Sequence, residues 1–227
     1  MVIYMEQLQN NPYRYERKYV LSKLQLPLFY NDLYGLNYSI LYPQRTINNI
    51  YFDDSILSSL DDNIQGLSMR KKYRLRWYGK PLGLTEKNFE IKIKSEFLNS
   101  KKIIRLGEID VFDFKNPVAI KNIILSIIKK ESLLDYHKLT YKEPTLHNNY
   151  DRNYFISKEK SIRITIDTNL NYYSFLTKNK TKESKVIVEV KYNSNVDFKN
   201  DFKNLEFTKY SKYVKGIIST SIHRPLY

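Results

Sequence analysis

The ten residues MRKKYRLRWY at 69–78 narrow the choice of fold more than any other part of this chain. Successive side chains of a strand point to opposite faces. Arg70, Lys72, Arg74 and Arg76 therefore share one face, and Tyr73, Leu75 and Trp77 the other. The same separation recurs where Glu90, Lys92 and Lys94 oppose Phe89, Ile91 and Ile93, and where Arg163, Thr165 and Asp167 oppose Ile162, Ile164 and Ile166. Glu189 and Lys191 oppose Val186, Val188, Val190 and Tyr192, and near the start Arg14, Glu16 and Lys18 oppose Tyr13, Tyr15 and Tyr19. One such strand is explained by the solvated side of an antiparallel sheet. Five of them, rich in cations, fit a sheet that closes with its apolar side outward under helices and its charged side around a lumen. Uncompensated buried charge costs on the order of several kcal/mol per ion. The expected ligand therefore carries several negative charges, as a triphosphate or a phosphate chain does.

Segments 13–21, 45–52, 69–78, 88–95, 101–106, 162–167 and 185–192 read as strands rich in β-branched and aromatic residues. Helical spacing lies between them: Asp53 or Asp54 caps a run through Ile64, Pro117 opens a run through about Lys138, and Lys209 to Ile222 forms a third. Residues 142–149 and 177–185 read as loops. This order predicts an α+β fold, an antiparallel β-barrel with a polar, basic lumen covered outside by helices, rather than alternating βαβ units. With 227 residues, no internal repeat and no linker, a single domain over 1–227 is expected.

Lys and Arg outnumber Asp and Glu by 38 to 24, a formal net charge of +14, which points to a polyanionic partner. The absence of cysteine excludes disulfides, thiol catalysis and cysteine-ligated zinc. The start MVIYMEQLQNN lacks a charged head followed by an apolar core, so no signal peptide is expected. The longest apolar stretch, VAIKNIILSII, is broken by Lys121 and is shorter than the roughly 20 residues of a membrane span. A cytoplasmic protein follows as the expectation. His137, His147 and His223 are not spaced as a metal triad and read as surface or loop histidines.

Taken in order, RYERKY (14–19), NNIYFDD (48–54), RKKYRLRWYG (70–79), FEIKIK (89–94), the KK at 101–102, YDRNY (150–154), RITID (163–167), VEVKY (188–192) and FTKYSKYVKG (207–216) resemble the catalytic domain of the vacuolar transporter chaperone complex. That catalytic domain is the VTC domain, a branch of the triphosphate tunnel metalloenzymes, and a stand-alone form of it is expected here. The resemblance spans nearly the whole chain, and the basic strand followed by Tyr-Gly together with SKYVKG is its most distinctive part. It implies a polyphosphate polymerase that transfers the γ-phosphate of ATP onto a growing polyphosphate chain in a basic tunnel.

Carried over residue by residue, the resemblance implies phosphate contacts from Lys18, Arg74, Arg76, Lys92, Tyr150, Arg152, Ser211 and Lys212, with the six Lys and Arg residues as catalytic candidates. Glu189 would hold the metal, Mn²⁺ or Mg²⁺. Lys101 or Lys102 would add a further contact, and spacing does not decide between them. Arg70, Lys72, Lys94, Arg163 and Lys191 are phosphate-binding candidates of the charged face, and Lys209, three residues before Lys212 on an expected helix, can face the same opening. Glu16, Glu90 and Asp167 would orient the cations. ATP and inorganic polyphosphate or pyrophosphate are the expected partners, and a membrane-protein partner is left open.

A triphosphatase in the same tunnel is the nearest alternative. Tunnel hydrolases typically carry paired glutamates in the first strand, whereas this chain has Glu16 and then Lys18. A non-catalytic polyphosphate or nucleotide sensor is a second alternative. Nucleic-acid binding is not expected, because strand parity places the aromatics opposite the cations in RKKYRLRWY rather than on a shared binding face.

Overall fold

The described residues form nine strands: β1 (Arg14–Leu21), β2 (Ser39–Asp53), β3 (Met69–Tyr78), β4 (Gly83–Ser95), β5 (Leu98–Val111), β6 (Glu143–Ile156), β7 (Ile162–Ser174), β8 (Lys180–Lys182) and β9 (Val186–Asn193). Five α-helices accompany them among the described residues: α1 (Leu26–Gly35), α2 (Ser58–Gln65), α3 (Pro117–Glu131), α4 (Leu133–Thr140) and α5 (Lys212–Ser221). The computed structural model describes residues 14–95, 98–111, 116–193, 196, 202, 205 and 207–221. The strands hydrogen-bond in the order β1-β9-β7-β6-β2-β3-β4-β5, with β8 on β7. The pairings β1/β9, β2/β3, β3/β4, β4/β5, β7/β8 and β7/β9 are antiparallel. The class is α+β, as the element order predicts.

The chain groups into two compact units. The first takes the described residues up to Gln44, Arg152–Thr168 and Ser184–Tyr210. Its core joins Tyr19 and Leu21 of β1, Ile164 and Ile166 of β7, and Val186, Val188, Val190 and Tyr192 of β9, under Phe29 and Leu33 of α1. The second takes Arg45–Asp151, Asn169–Glu183 and the described residues from Ser211 on. Its core joins Ile50 and Phe52, Tyr73, Leu75 and Trp77, Phe89 and Ile91, and Ile104, under Ile120, Ile124 and Ile128 of α3 and Leu139 of α4. In both units the apolar strand face meets helices, as parity requires. Lys87 lies on the apolar face of the second unit. Lys87, next to a β-bulge, donates to the carbonyls of Gly83, Thr85 and Ile109 and to the Thr85 hydroxyl, and sits over the Trp77 ring.

Several elements differ from the sequence reading. Residues 142–149 are not a loop: β6 begins at Glu143, and residues 144–148 are all buried. A strand buried on both faces shows no alternation for a sequence reading to detect. The run from Pro117 toward Lys138 is two helices, parted at Ser132, which is extended and caps α4 by accepting from the Asp135 amide. A short strand, β8, lies in the polar stretch 177–185. Helix α1 escapes the sequence reading, although Pro27 at its start and Phe29 and Leu33 four apart mark it. The last helix starts at Lys212, so Lys209 precedes it. His147 is not a surface residue but is buried in β6, stacked on Trp77, and burial pushes its imidazole pKa down to about 3. His137 is exposed on α4, whereas His223 and Ile222 lie outside the described residues.

Candidate phosphate-binding site

In the second unit the charged face of β3 and its neighbours gathers around one carboxylate. Antiparallel register sets Arg74 opposite Glu90 on β4, and Tyr51 of β2 opposite Arg74. Arg74 donates through Nε to Glu90 Oε2 at 2.7 Å, with Nη2 at 2.5 Å from the same oxygen. Lys101 of β5 reaches Glu90 Oε1 at 3.2 Å, and Arg76 Nη1 lies 3.8 Å from Oε2. Burial alone would raise the Glu90 pKa. The charges of Arg74, Arg76 and Lys101 outweigh that effect and hold it at about 2, so Glu90 is ionised at neutral pH.

The next row of the register sets three lysines abreast, Lys72 opposite Lys92 and Lys92 opposite Lys101. Adjacent strands lie about 4.8 Å apart, and like charges directly opposite each other destabilise a sheet. Lys72 donates to the Ser211 hydroxyl at 3.1 Å. Ser211 stands just ahead of α5, and the Lys215 amide donates to its carbonyl. Lys212, the first residue of α5, sits over the Tyr150 ring with Nζ 4.7 Å from its centre. A helix start with a hydroxyl and a cation beside it favours anions.

Arg76 extends the cluster to β2 and β6. It donates through Nε to Asn49 Oδ1 at 2.8 Å and through Nη2 to the Tyr150 hydroxyl at 3.2 Å. A guanidinium only donates, so it fixes the Asn49 amide, whose Nδ2 then donates to Asn148 Oδ1 at 2.8 Å. Asn49 and Asn148 are fully buried, and sequence reasoning gave them no role. The parity of Asn49 with Tyr51 on β2 was the available signal.

The first unit carries its own charged face. Register sets Lys18 of β1 and Thr165 of β7 on either side of Glu189 of β9, and Glu16 and Arg163 on either side of Lys191. Lys18 lies 3.0 Å from Glu16 and donates to the Tyr210 carbonyl at 3.1 Å. Lys191 lies 2.5 Å from Glu189 and 3.8 Å from Glu16. Arg152 makes a two-point contact with the fully buried Asp167, at 2.5 and 2.7 Å.

The remaining candidates lie apart from these clusters. Lys102 pairs with Asp135 of α4, so Lys101 alone of the two approaches Glu90. Arg70 donates to the Leu67 carbonyl, Lys94 is half-buried opposite Arg70, and Lys209 is exposed.

Among the described residues no group of three or more His, Cys, Asp or Glu side chains could cage a metal ion. A hard cation that takes one protein carboxylate and completes its shell with phosphate and water needs no such cage. Glu189 fits that role. Opposite it, the Thr165 hydroxyl oxygen is buried with no hydrogen-bond partner, a second hard oxygen on the same face.

Each of these faces is a cation-rich side of an antiparallel sheet. The chain belongs to the VTC domain family, which it matches over residues 13–221. Among solved structures it is similar to a candidate adenylate cyclase from Vibrio parahaemolyticus, at 12% identity over 83% of this chain and 80% of that one, with a TM-score of 0.44. A candidate adenylyl cyclase from Hippeastrum, described as having a dominant triphosphatase activity, is 13% identical over 90% of this chain and 83% of that one, with a TM-score of 0.42. No helix among the described residues is long and apolar enough to cross a membrane.

Proposed function

We propose that this protein is a metal-dependent polyphosphate polymerase, moving the γ-phosphoryl group of ATP onto the end of an inorganic polyphosphate chain, and that residues 1–227 work as one cytoplasmic catalytic domain. The observation that carries the reading is the row Lys72, Lys92 and Lys101, three cations in register on adjacent strands beside Arg74 and Arg76. Glu90 offsets part of this charge through Lys101, and phosphate groups lying along the row would offset the repulsion between neighbouring lysines further.

In the proposed reaction the bond between the γ-phosphorus and the bridging oxygen of ATP breaks, a bond to a terminal oxygen of the chain forms, and ADP leaves. Phosphoryl transfer is catalysed mainly by holding the phosphates in line and neutralising their oxygens. Arg74 and Arg76 offer planar, multi-donor contacts already oriented by Glu90 and Asn49, while Lys72, Lys92, Lys101 and Lys212 act as point charges. Ser211 and Tyr150 supply hydroxyl donors. Lys18, Arg152, Arg163 and Lys191 contact phosphates on the charged face of the first unit. Glu189 would hold Mn²⁺ or Mg²⁺, which supplies further neutralisation of phosphate oxygen charge.

Glu16 is engaged by both Lys18 and Lys191, which disfavours its service as a free base for water and hence a hydrolase. The test is chain growth by Arg74→Ala and Lys18→Ala proteins supplied with ATP. Each is expected to lose about 100-fold or more of the rate. Undiminished chain growth in both would sink the proposal.

A further inference from the structure

The charged face around Glu189 contains a hydroxyl that the fold leaves unserved. Thr165 lies directly opposite Glu189 in the β7/β9 register, which places such a pair about 4.5–5.5 Å apart between Cβ atoms. Its neighbours Ile164 and Ile166 are fully buried in the apolar core, so Thr165 belongs to the charged face. The Thr165 Oγ1 atom is nevertheless buried without a hydrogen-bond partner. A buried hydroxyl without a partner destabilises the fold, and a valine of the same shape would avoid that penalty. The charged groups facing this position are Glu16 and Lys18 of β1, Lys191 and Glu189 of β9, and Arg163 and Asp167 of β7, with Arg152 bound to Asp167.

We infer that Thr165 is a second oxygen ligand, direct or through one water, of the divalent cation that Glu189 holds. The inference rests on the metal-dependent phosphate reading. A hard cation takes hydroxyl oxygen as readily as it takes carboxylate and phosphate oxygen. Lys191 lies 2.5 Å from Glu189 and 3.8 Å from Glu16. A cation arriving at Glu189 therefore displaces the ammonium onto a carboxylate already beside it, without stranding either charge. The register pair also explains why a threonine stands in an otherwise charged row: it donates an oxygen without adding a further charge.

The test is a titration of the purified full chain with Mn²⁺ alone, following the free ion by electron paramagnetic resonance, together with thermal melts of the metal-free proteins. Thr165→Val is expected to weaken Mn²⁺ binding by about 10-fold or more while leaving the metal-free melting temperature equal or higher. Thr165→Ser, which restores the oxygen, is expected to bind Mn²⁺ like the parent. Glu189→Gln is the reference for the site itself. If Glu189→Gln weakens Mn²⁺ binding and Thr165→Val does not, the role of Thr165 is overturned and the metal site stands. If Glu189→Gln leaves binding unchanged, the metal reading and this inference fail together.

Discussion

Glu90 balances Arg74, Arg76 and Lys101, three cations against one carboxylate, so its removal has two opposite effects. Its pKa is depressed from 4.5 to about 2, a shift worth about 3 kcal/mol at neutral pH. For a depressed carboxylate that stability is present above the unfolded pKa and disappears as pH falls through the folded one. Glu90→Gln should therefore be less stable than the parent in denaturant melts at pH 7, and the difference should vanish between about pH 4.5 and pH 2. The same variant leaves the cations uncompensated, so tripolyphosphate should raise its melting temperature more than it raises the parent's. His147 has the opposite chemistry. Its neutral form is the one buried, at a pKa of about 3, so protonation favours the unfolded chain. Stability should start to fall as pH drops below about 6.5, and His147→Phe should flatten that part of the profile.

At the scale of elements, α5 is the piece whose placement sets the site, because Ser211 and Lys212 lie at its start. The Tyr213 hydroxyl donates to Asp53 Oδ2 at 2.7 Å, and its ring stacks on Tyr51 at 5.1 Å. Asp53 is in turn fixed by the Ser59 and Leu60 amides of α2 and by Lys142. Burial, then the Asp53 charge, pushes the Tyr213 pKa up, which keeps the phenol a donor. Tyr213→Phe should cost about 1–3 kcal/mol in urea unfolding by leaving Asp53 short of one partner. Further along, a Cβ on Gly216 would run into Leu146 Cδ2 and lie 2.7 Å from Tyr172 Cδ1. Gly216→Ala should destabilise by about 1–3 kcal/mol, read in the same unfolding experiment.

These elements also mark how far the sequence is legible. Parity assigns Arg74, Arg76 and Glu90 to one face because β3 and β4 are polar on one side and apolar on the other. It fails for β6, whose residues 144–148 are buried throughout, and so misses His147 and Asn148. The helix expected directly behind Asp53 or Asp54 starts instead at Ser58, after Leu57, although Asp54 accepts the Ser58 amide and Asp53 the Ser59 amide of its first turn. Nothing local in the sequence announces that Asp53 also receives Tyr213, 160 residues away. Whether Lys101 or Lys102 meets Glu90 depends on register, which spacing alone does not fix.

For the molecule as a whole, charge distribution is the feature that bears most on function. A net charge of +14 is borne by a chain whose described strands turn many of their cations to one side. Family membership over residues 13–221 fits that distribution, and the choice among polymerase, hydrolase and sensor is one of reaction outcome. The decisive measurement is incubation of the purified protein with ATP and Mn²⁺, following ADP release and resolving the phosphate products on a gel beside a Glu189→Ala control. The account predicts a polyphosphate ladder that the control fails to make. Orthophosphate without a ladder, or triphosphate binding without ADP release, would contradict it.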